Sequence, residues 1–156
     1  MSQDPIDPKL APVVEFFEQG VAFNKHLALR VEGLREGWAV ARIPWADELL
    51  GDPTRPAVHG GVISSLADAT GGVACLSMLG PSGDRLSTVD LRVDYLRPGP
   101  AKDLVCEARV VRMGNRVAVV KMEVFAGELP AERGPEERPI ATAQAVYNVS
   151  RRGERG

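Results

Sequence analysis

From residue 59 to about residue 79 the chain is built almost wholly from small and apolar side chains at helical spacing. Val62, Leu66, Ala69 or Thr70, Val73 and Leu76 form one stripe with the recurrence of a helix. Around that stripe stand Gly60, Gly61, Ser64, Ser65, Ala67, Gly71, Gly72 and Ala74. A glycine inside a helix costs about 1 kcal/mol relative to alanine. Pairs of them need an offset, and close approach by another backbone supplies one. The segment therefore predicts a long central helix gripped by a sheet.

The flanking sequence supplies the strands. Residues 27–35 and 38–43 read as two strands around a Glu36-Gly37 turn, with Pro44 ending the second. Residues 45–58, broken by Gly51, Pro53 and Pro56, read as a long loop, and loops of that length are usually functional or mobile. Gly80-Pro81-Ser82-Gly83 reads as a turn. Residues 86–97 then alternate, with Val89, Leu91, Val93 and Tyr95 set against Thr88, Asp90, Arg92 and Asp94. Residues 103–112 and 116–126 flank Met113-Gly114-Asn115, a hairpin signal. Residues 140–149 alternate again, with Ala141, Ala143 and Ala145 on one face. The stretch 127–139, rich in Glu, Pro and Gly, reads as an exposed loop.

At the N-terminus, Leu10, Val13, Val14 and Phe17 predict a helix over residues 8–19 that stops at Gly20, and residues 23–27 read as a connector. The expected organisation is an N-terminal helical segment (residues 1–20), one domain (21–150) and a disordered tail (151–156). The expected class is α+β, an antiparallel sheet curled around one long central helix.

Composition excludes several functions. Lys and Arg number 19 against 21 Asp and Glu, a net charge of −2, which gives no support to nucleic-acid binding or to a polybasic membrane surface. The opening residues carry acids and prolines where a signal peptide has basic residues and an apolar core, and no uninterrupted apolar run reaches the ~18 residues of a membrane span. A cytoplasmic protein without membrane contact is expected. Cys75 and Cys106 fall in segments that read as buried, so two reduced, packed thiols are expected, and with two His no metal site.

The chemistry concentrates between His59 and Asp68. Two glycines at a helix start leave backbone N–H groups accessible where the helix dipole is positive. Such a terminus holds an anion or the oxyanion of a reacting carbonyl. Asp68 follows among Leu66, Ala67 and Ala69, an apolar setting for a residue of poor helix propensity. Thioester hydrolysis needs little more than this pair. A leaving thiolate with a pKa near ~8.5 departs without a strong acid; the carbonyl must be polarised and water activated. Gly60 and Asp68 lie about 12 Å apart along a helix rising ~1.5 Å per residue. One thioester carbon cannot touch both, so the mechanism predicts a symmetric dimer with two composite sites.

His59-Gly60-Gly61 followed by Asp68 resembles the signature of hotdog-fold thioesterases of the phenylacetyl-CoA thioesterase type. Residues 88–98, from Thr88 to Pro98, are similar to the strand after that family's central helix, and residues 112–116 resemble its next hairpin. The resemblance spans roughly residues 20–150. It implies a hotdog fold and hydrolysis of an acyl-CoA, with no cofactor beyond the coenzyme A of the substrate, by a homodimer or a homotetramer built as a dimer of dimers. It implies Gly60 as the oxyanion donor, His59 as a residue fixing the loop and thioester, Asp68 as base or nucleophile, and Thr88 as a water-positioning hydroxyl. Gly61 joins the substrate site. Where such enzymes carry an Asn about six residues before the His, this chain has Pro53, and Asp52 is the nearest polar residue. Arg97 and Arg116 are candidates for the coenzyme A phosphates.

Two other functions fit parts of this pattern. A hotdog hydratase or dehydratase pairs an Asp with a His a few residues on; Asp52 and His59 are seven apart, and Asp68 stays unexplained. A non-catalytic acyl-CoA binder has the same fold but no need of a carboxylate at the thioester. A Ser-His-Asp hydrolase lacks support, because the chain has no G-x-S-x-G elbow.

Overall fold

The computed structural model of the chain describes residues 6–79 and 83–152. Its elements are α1 (Ala11–Glu15), α2 (Ala22–His26), β1 (Arg30–Arg35), β2 (Trp38–Ile43), β3 (Leu50–Asp52), β4 (Ala57–Val58), α3 (Gly60–Leu76), β5 (Arg85–Tyr95), β6 (Leu104–Met113), β7 (Val117–Ala126) and β8 (Ala141–Ser150). Six strands pair antiparallel in the order β1-β2-β6-β7-β8-β5, and α3 packs across all six. This is the hotdog architecture, a sheet wrapped on one long helix.

The inner face of the sheet is small where the helix lies. Ala39, Ala41, Cys106, Ala108, Ala118 and Ala145 are fully buried there, against Leu66, Ala67, Val73 and Ala74 of α3. Fully burying a Val or Leu side chain contributes about 1.5–3 kcal/mol. Alanines opposite let the helix sit close enough for that burial to be complete. Of the pair Gly71-Gly72, Gly71 has a more specific cause than the expected backbone approach, while a Cβ on Gly72 would meet only ordinary contacts at 3.9 Å. A Cβ on Gly71 would stand 2.5 Å from Tyr147 Oη and 3.2 Å from Met122 Sδ, so sheet side chains occupy that space. By length and composition the stretch Gly60–Leu79, with a mean hydropathy of 1.5, is long and apolar enough to cross a membrane, which corrects the expectation drawn from apolar runs. Here it is the core helix of the sheet.

Several sequence expectations are corrected. Residues 23–27 are largely the short helix α2 rather than a connector. The loop at 45–58 contains a 3-10 turn (Asp47–Leu49) and the small β3–β4 pair. In β5 the register against β8 shifts between Thr88 and Asp90, making Val89 an extra, bulged residue. Thr88 pairs with Tyr147 and Leu91 with Ala145, both buried, so Thr88 joins Leu91 and Val93 on the inner face, and Val89 is 65% exposed. The expected alternation fails at Thr88 and Val89 and holds from Asp90 to Val93.

The stretch 127–139 is a largely exposed loop, as expected, and it is also anchored on the outer face of the sheet. Leu129 packs on Trp38, Val40, Val105 and Phe125. Arg133 lies 4.5 Å over the Phe125 ring and pairs with Glu107, whose buried carboxylate also accepts from Trp38 Nε1 at 2.7 Å. At the other end Arg151 pairs with Asp84 at 3.1 Å, so the tail is held as far as residue 152. The rest of the expected tail, and most of the turn expected at 80–83, lie outside the described residues. Cys75 and Cys106 are free and buried, and burial pushes both thiols up to about 12. Neither is a nucleophile near neutral pH.

Candidate active site

The helix start is built by its neighbours. His59 caps α3 in extended conformation (φ −62°, ψ 132°), and its Nδ1 accepts the Gly61 N–H at 2.9 Å. That bond places the ring proton on Nε2. The His59 N–H donates to the Leu49 carbonyl at 2.9 Å, which ties the cap to the 3-10 turn. Only glycine fits at Gly51, because a Cβ there would lie 2.6 Å from the His59 Cα. Tyr95 Oη donates to the Gly60 carbonyl at 3.1 Å from the end of β5.

The two glycines thus differ. The Gly61 N–H is occupied by His59, whereas the Gly60 N–H has no acceptor among the described residues. It points from the positive end of a helix of 17 residues. Of the expected pair of donors, Gly60 is the one left open.

Asp68 sits two turns along α3, partly buried. Thr88 Oγ1 donates to its Oδ1 at 2.8 Å, across from the edge strand. The β5 bulge makes this contact, since without the extra residue Thr88 would face outward. Tyr147 Oη, 2% exposed, reaches the Asp68 carbonyl at 2.7 Å and Oδ1 at 3.2 Å. Burial, and next the Asp68 carboxylate, push the phenol pKa far above its ordinary value, so it remains a donor. Sequence reasoning missed Tyr147. Its signal was present as the one large residue on the alanine face of β8, opposite the glycine pair of α3.

The remaining candidates make bonds of their own. Asp52 Oδ1 accepts from Thr54 N and Oγ1 at 2.9 and 2.6 Å, and its Oδ2 accepts from Arg55 Nε at 3.3 Å. These bonds, the Thr54 hydroxyl first, hold its carboxyl down to about 2. Its acceptors close the β3–β4 turn, and no hydrogen bond joins it to His59 among the described residues. Arg97 donates to the Pro139 carbonyl at 3.0 Å, while Arg116 lies beside Val149, whose N–H donates to its carbonyl at 2.8 Å. Those two points are about 30 Å apart along β8 at ~3.3 Å per residue. Within one chain the two arginines do not meet. Among the described residues no group of three or more His, Cys, Asp or Glu is gathered as metal ligands would be.

Known proteins resemble the chain in sequence and fold. Residues 56–131, which span the helix start, Asp68 and Thr88, match the thioesterase superfamily. The chain is 30% identical over 149 residues to the medium/long-chain acyl-CoA thioesterase YigI of Escherichia coli, covering 88% of this chain and 91% of that one. It is 35% identical over 143 residues to a putative esterase of Halobacterium salinarum, covering 90% and 93%. A solved structure from Shewanella oneidensis, described as related to the thioesterase superfamily, superposes with a TM-score of 0.75 at 30% identity, covering 90% of this chain and 95% of that one.

Proposed function

The chain belongs to the hotdog-fold thioesterase superfamily, and from that premise we propose that it hydrolyses an acyl-CoA with Asp68 as its catalytic carboxylate and the Gly60 N–H as its oxyanion donor. The observation that carries this reading is the Asp68 carboxylate, set in an apolar helix and turned by two hydroxyls, with an open N–H at the start of the same helix. Water adds to the thioester carbon as Asp68 accepts its proton, and the Gly60 N–H stabilises the oxyanion. The C–S bond then breaks, and the departing thiolate takes up a proton to give free coenzyme A and the acid.

In this reading Gly60 and Asp68 come from different chains, and the β5 edge supports it. It is the terminal strand of the sheet, eleven residues long, and Val89 and Tyr95 within it and Leu96 just beyond it are all more than half exposed. An open edge of that length is a template for pairing. Gly60 lies against Tyr95, and Asp68 against Thr88. Antiparallel pairing of two β5 strands about Arg92 sets Leu91 opposite Val93 and Asp90 opposite Asp94. Past the bulged Val89, Thr88 then falls opposite Tyr95 of the partner subunit. Each Gly60 is thereby brought to Asp68 of the partner subunit, completing two equal sites. The same register sets Arg97 opposite Leu86 of the partner subunit, next to the corner where Val149 meets Arg116. Two arginines that one chain keeps apart then flank one end of the composite site, a basic end for the coenzyme A phosphates.

This register has a direct test. Arg92 is exposed and would face its own copy at a Cβ separation of about 5 Å. Arg92→Cys is expected to give a disulfide-linked dimer on oxidation, read on a non-reducing gel, while the buried native thiols stay inert. A monomer band after oxidation would contradict the register.

The activity itself is tested by thiol release from a panel of aryl, short, medium and long acyl-CoAs. Turnover is expected, with medium or long chains favoured by analogy with the Escherichia coli relative. Tight binding without release would move the assignment to an acyl-CoA binder.

A further inference from the structure

We propose that Tyr147 is a positioning residue that selects Oδ2 as the reacting oxygen of Asp68. The inference rests on the reading of Asp68 above and goes beyond it, because it names which atom reacts and what holds it. Tyr147 has one proton and two acceptors on the same residue, the Asp68 carbonyl at 2.7 Å and Oδ1 at 3.2 Å. A hydroxyl that engages backbone and carboxylate together fixes the side-chain torsion between them. Thr88 adds a second donor to the same oxygen at 2.8 Å. Oδ1 is therefore occupied, and Oδ2 has no donor among the described residues. A carboxylate held by one oxygen presents the other to water or to the carbonyl carbon.

The surroundings are arranged for this contact. Tyr147 comes from the buried face of β8, and Gly71 leaves the space its hydroxyl fills, since any larger residue would lie within 2.5 Å of it. The phenol stays protonated, as burial and then the neighbouring carboxylate oppose its ionisation. Behind it stand the Cys75 thiol of α3 and the Cys106 thiol of β6, both neutral. From β7 the inner-face neighbour is the uncharged Met122, and the β5 neighbours Asp90 and Arg92 stand exposed. The phenol is thus the one titratable group in hydrogen-bond contact with the carboxylate among the described residues.

Tyr147→Phe keeps the ring volume and removes only that donor. Its effect is read on Asp68 directly, by the carbon-13 chemical shift of the carboxyl in the full-length protein at one fixed pH, alongside kcat and KM. The resonance is expected to move, and kcat to fall about tenfold with KM nearly unchanged. Should Tyr147→Phe fold poorly, 3-fluorotyrosine at position 147 keeps the shape and strengthens the donor, and the resonance should then move the opposite way. A carboxyl resonance that stays at its wild-type position in either protein overturns the proposal. Failure of the thioesterase reading is a separate result, seen as absent turnover in the wild type whatever the resonance does.

Discussion

Asparagine in place of Asp68 is expected to lower kcat by about a thousandfold, within the range a general base contributes. The substitution is nearly isosteric, and an amide oxygen can still accept from Thr88 and Tyr147. Helix packing, the β5 edge and the start of α3 are untouched, so KM, the melting temperature and the dimer should persist. What disappears is the negative charge and the basic oxygen. Thiol release at saturating acyl-CoA reads the loss. A variant with wild-type turnover would remove Asp68 from the chemistry.

Proline in place of Gly60 is expected to lower kcat by about a hundredfold or more, the effect of removing one oxyanion donor. Most substitutions at a helix start would confuse loss of a donor with loss of the helix, and this one avoids that. The first helical position tolerates proline, since its N–H lies outside the helical ladder. The preceding residue must be extended, and His59 already is, at ψ 132°. The ring must fit beside Tyr95, whose nearest carbon would lie 3.3 Å from an added Cβ, a contact that a half-exposed side chain can relieve. The variant should fold and bind substrate. If it turns over at the wild-type rate, the oxyanion donor is another group.

The sequence made the fold legible because two periodicities stood out. Small residues repeated at helical spacing over 59–79, and alternation marked the strands on both sides. The helix start and Asp68 were legible for a chemical reason, as glycines and an isolated carboxylate are poor choices for a helix and imply a compensating use. Three features were hidden. The Val89 bulge cannot be seen in a strand that alternates cleanly in sequence, because the shift appears only against the β8 register. Tyr147 lies 79 residues from Asp68, and nothing in β8 itself announces that its hydroxyl reaches the helix. Asp52 stood at a suggestive spacing, but an aspartate before Pro53 and Thr54 finds its donors within its own turn. Arg97 and Arg116 show the same limit at larger scale. Their separation is a property of the sheet, and the sequence spacing of the two does not display it.

The composite site is the centre of this account, and mixing two inactive proteins tests it most directly. Asp68→Asn and Gly60→Pro chains are unfolded together, refolded at equal concentration and assayed for thiol release. A heterodimer would hold one site with both groups intact and one with neither. Random pairing then predicts recovery of about a quarter of the wild-type activity. No recovery, with heterodimers demonstrated by differential tagging, would place Gly60 and Asp68 of one chain in the same site and contradict the shared one.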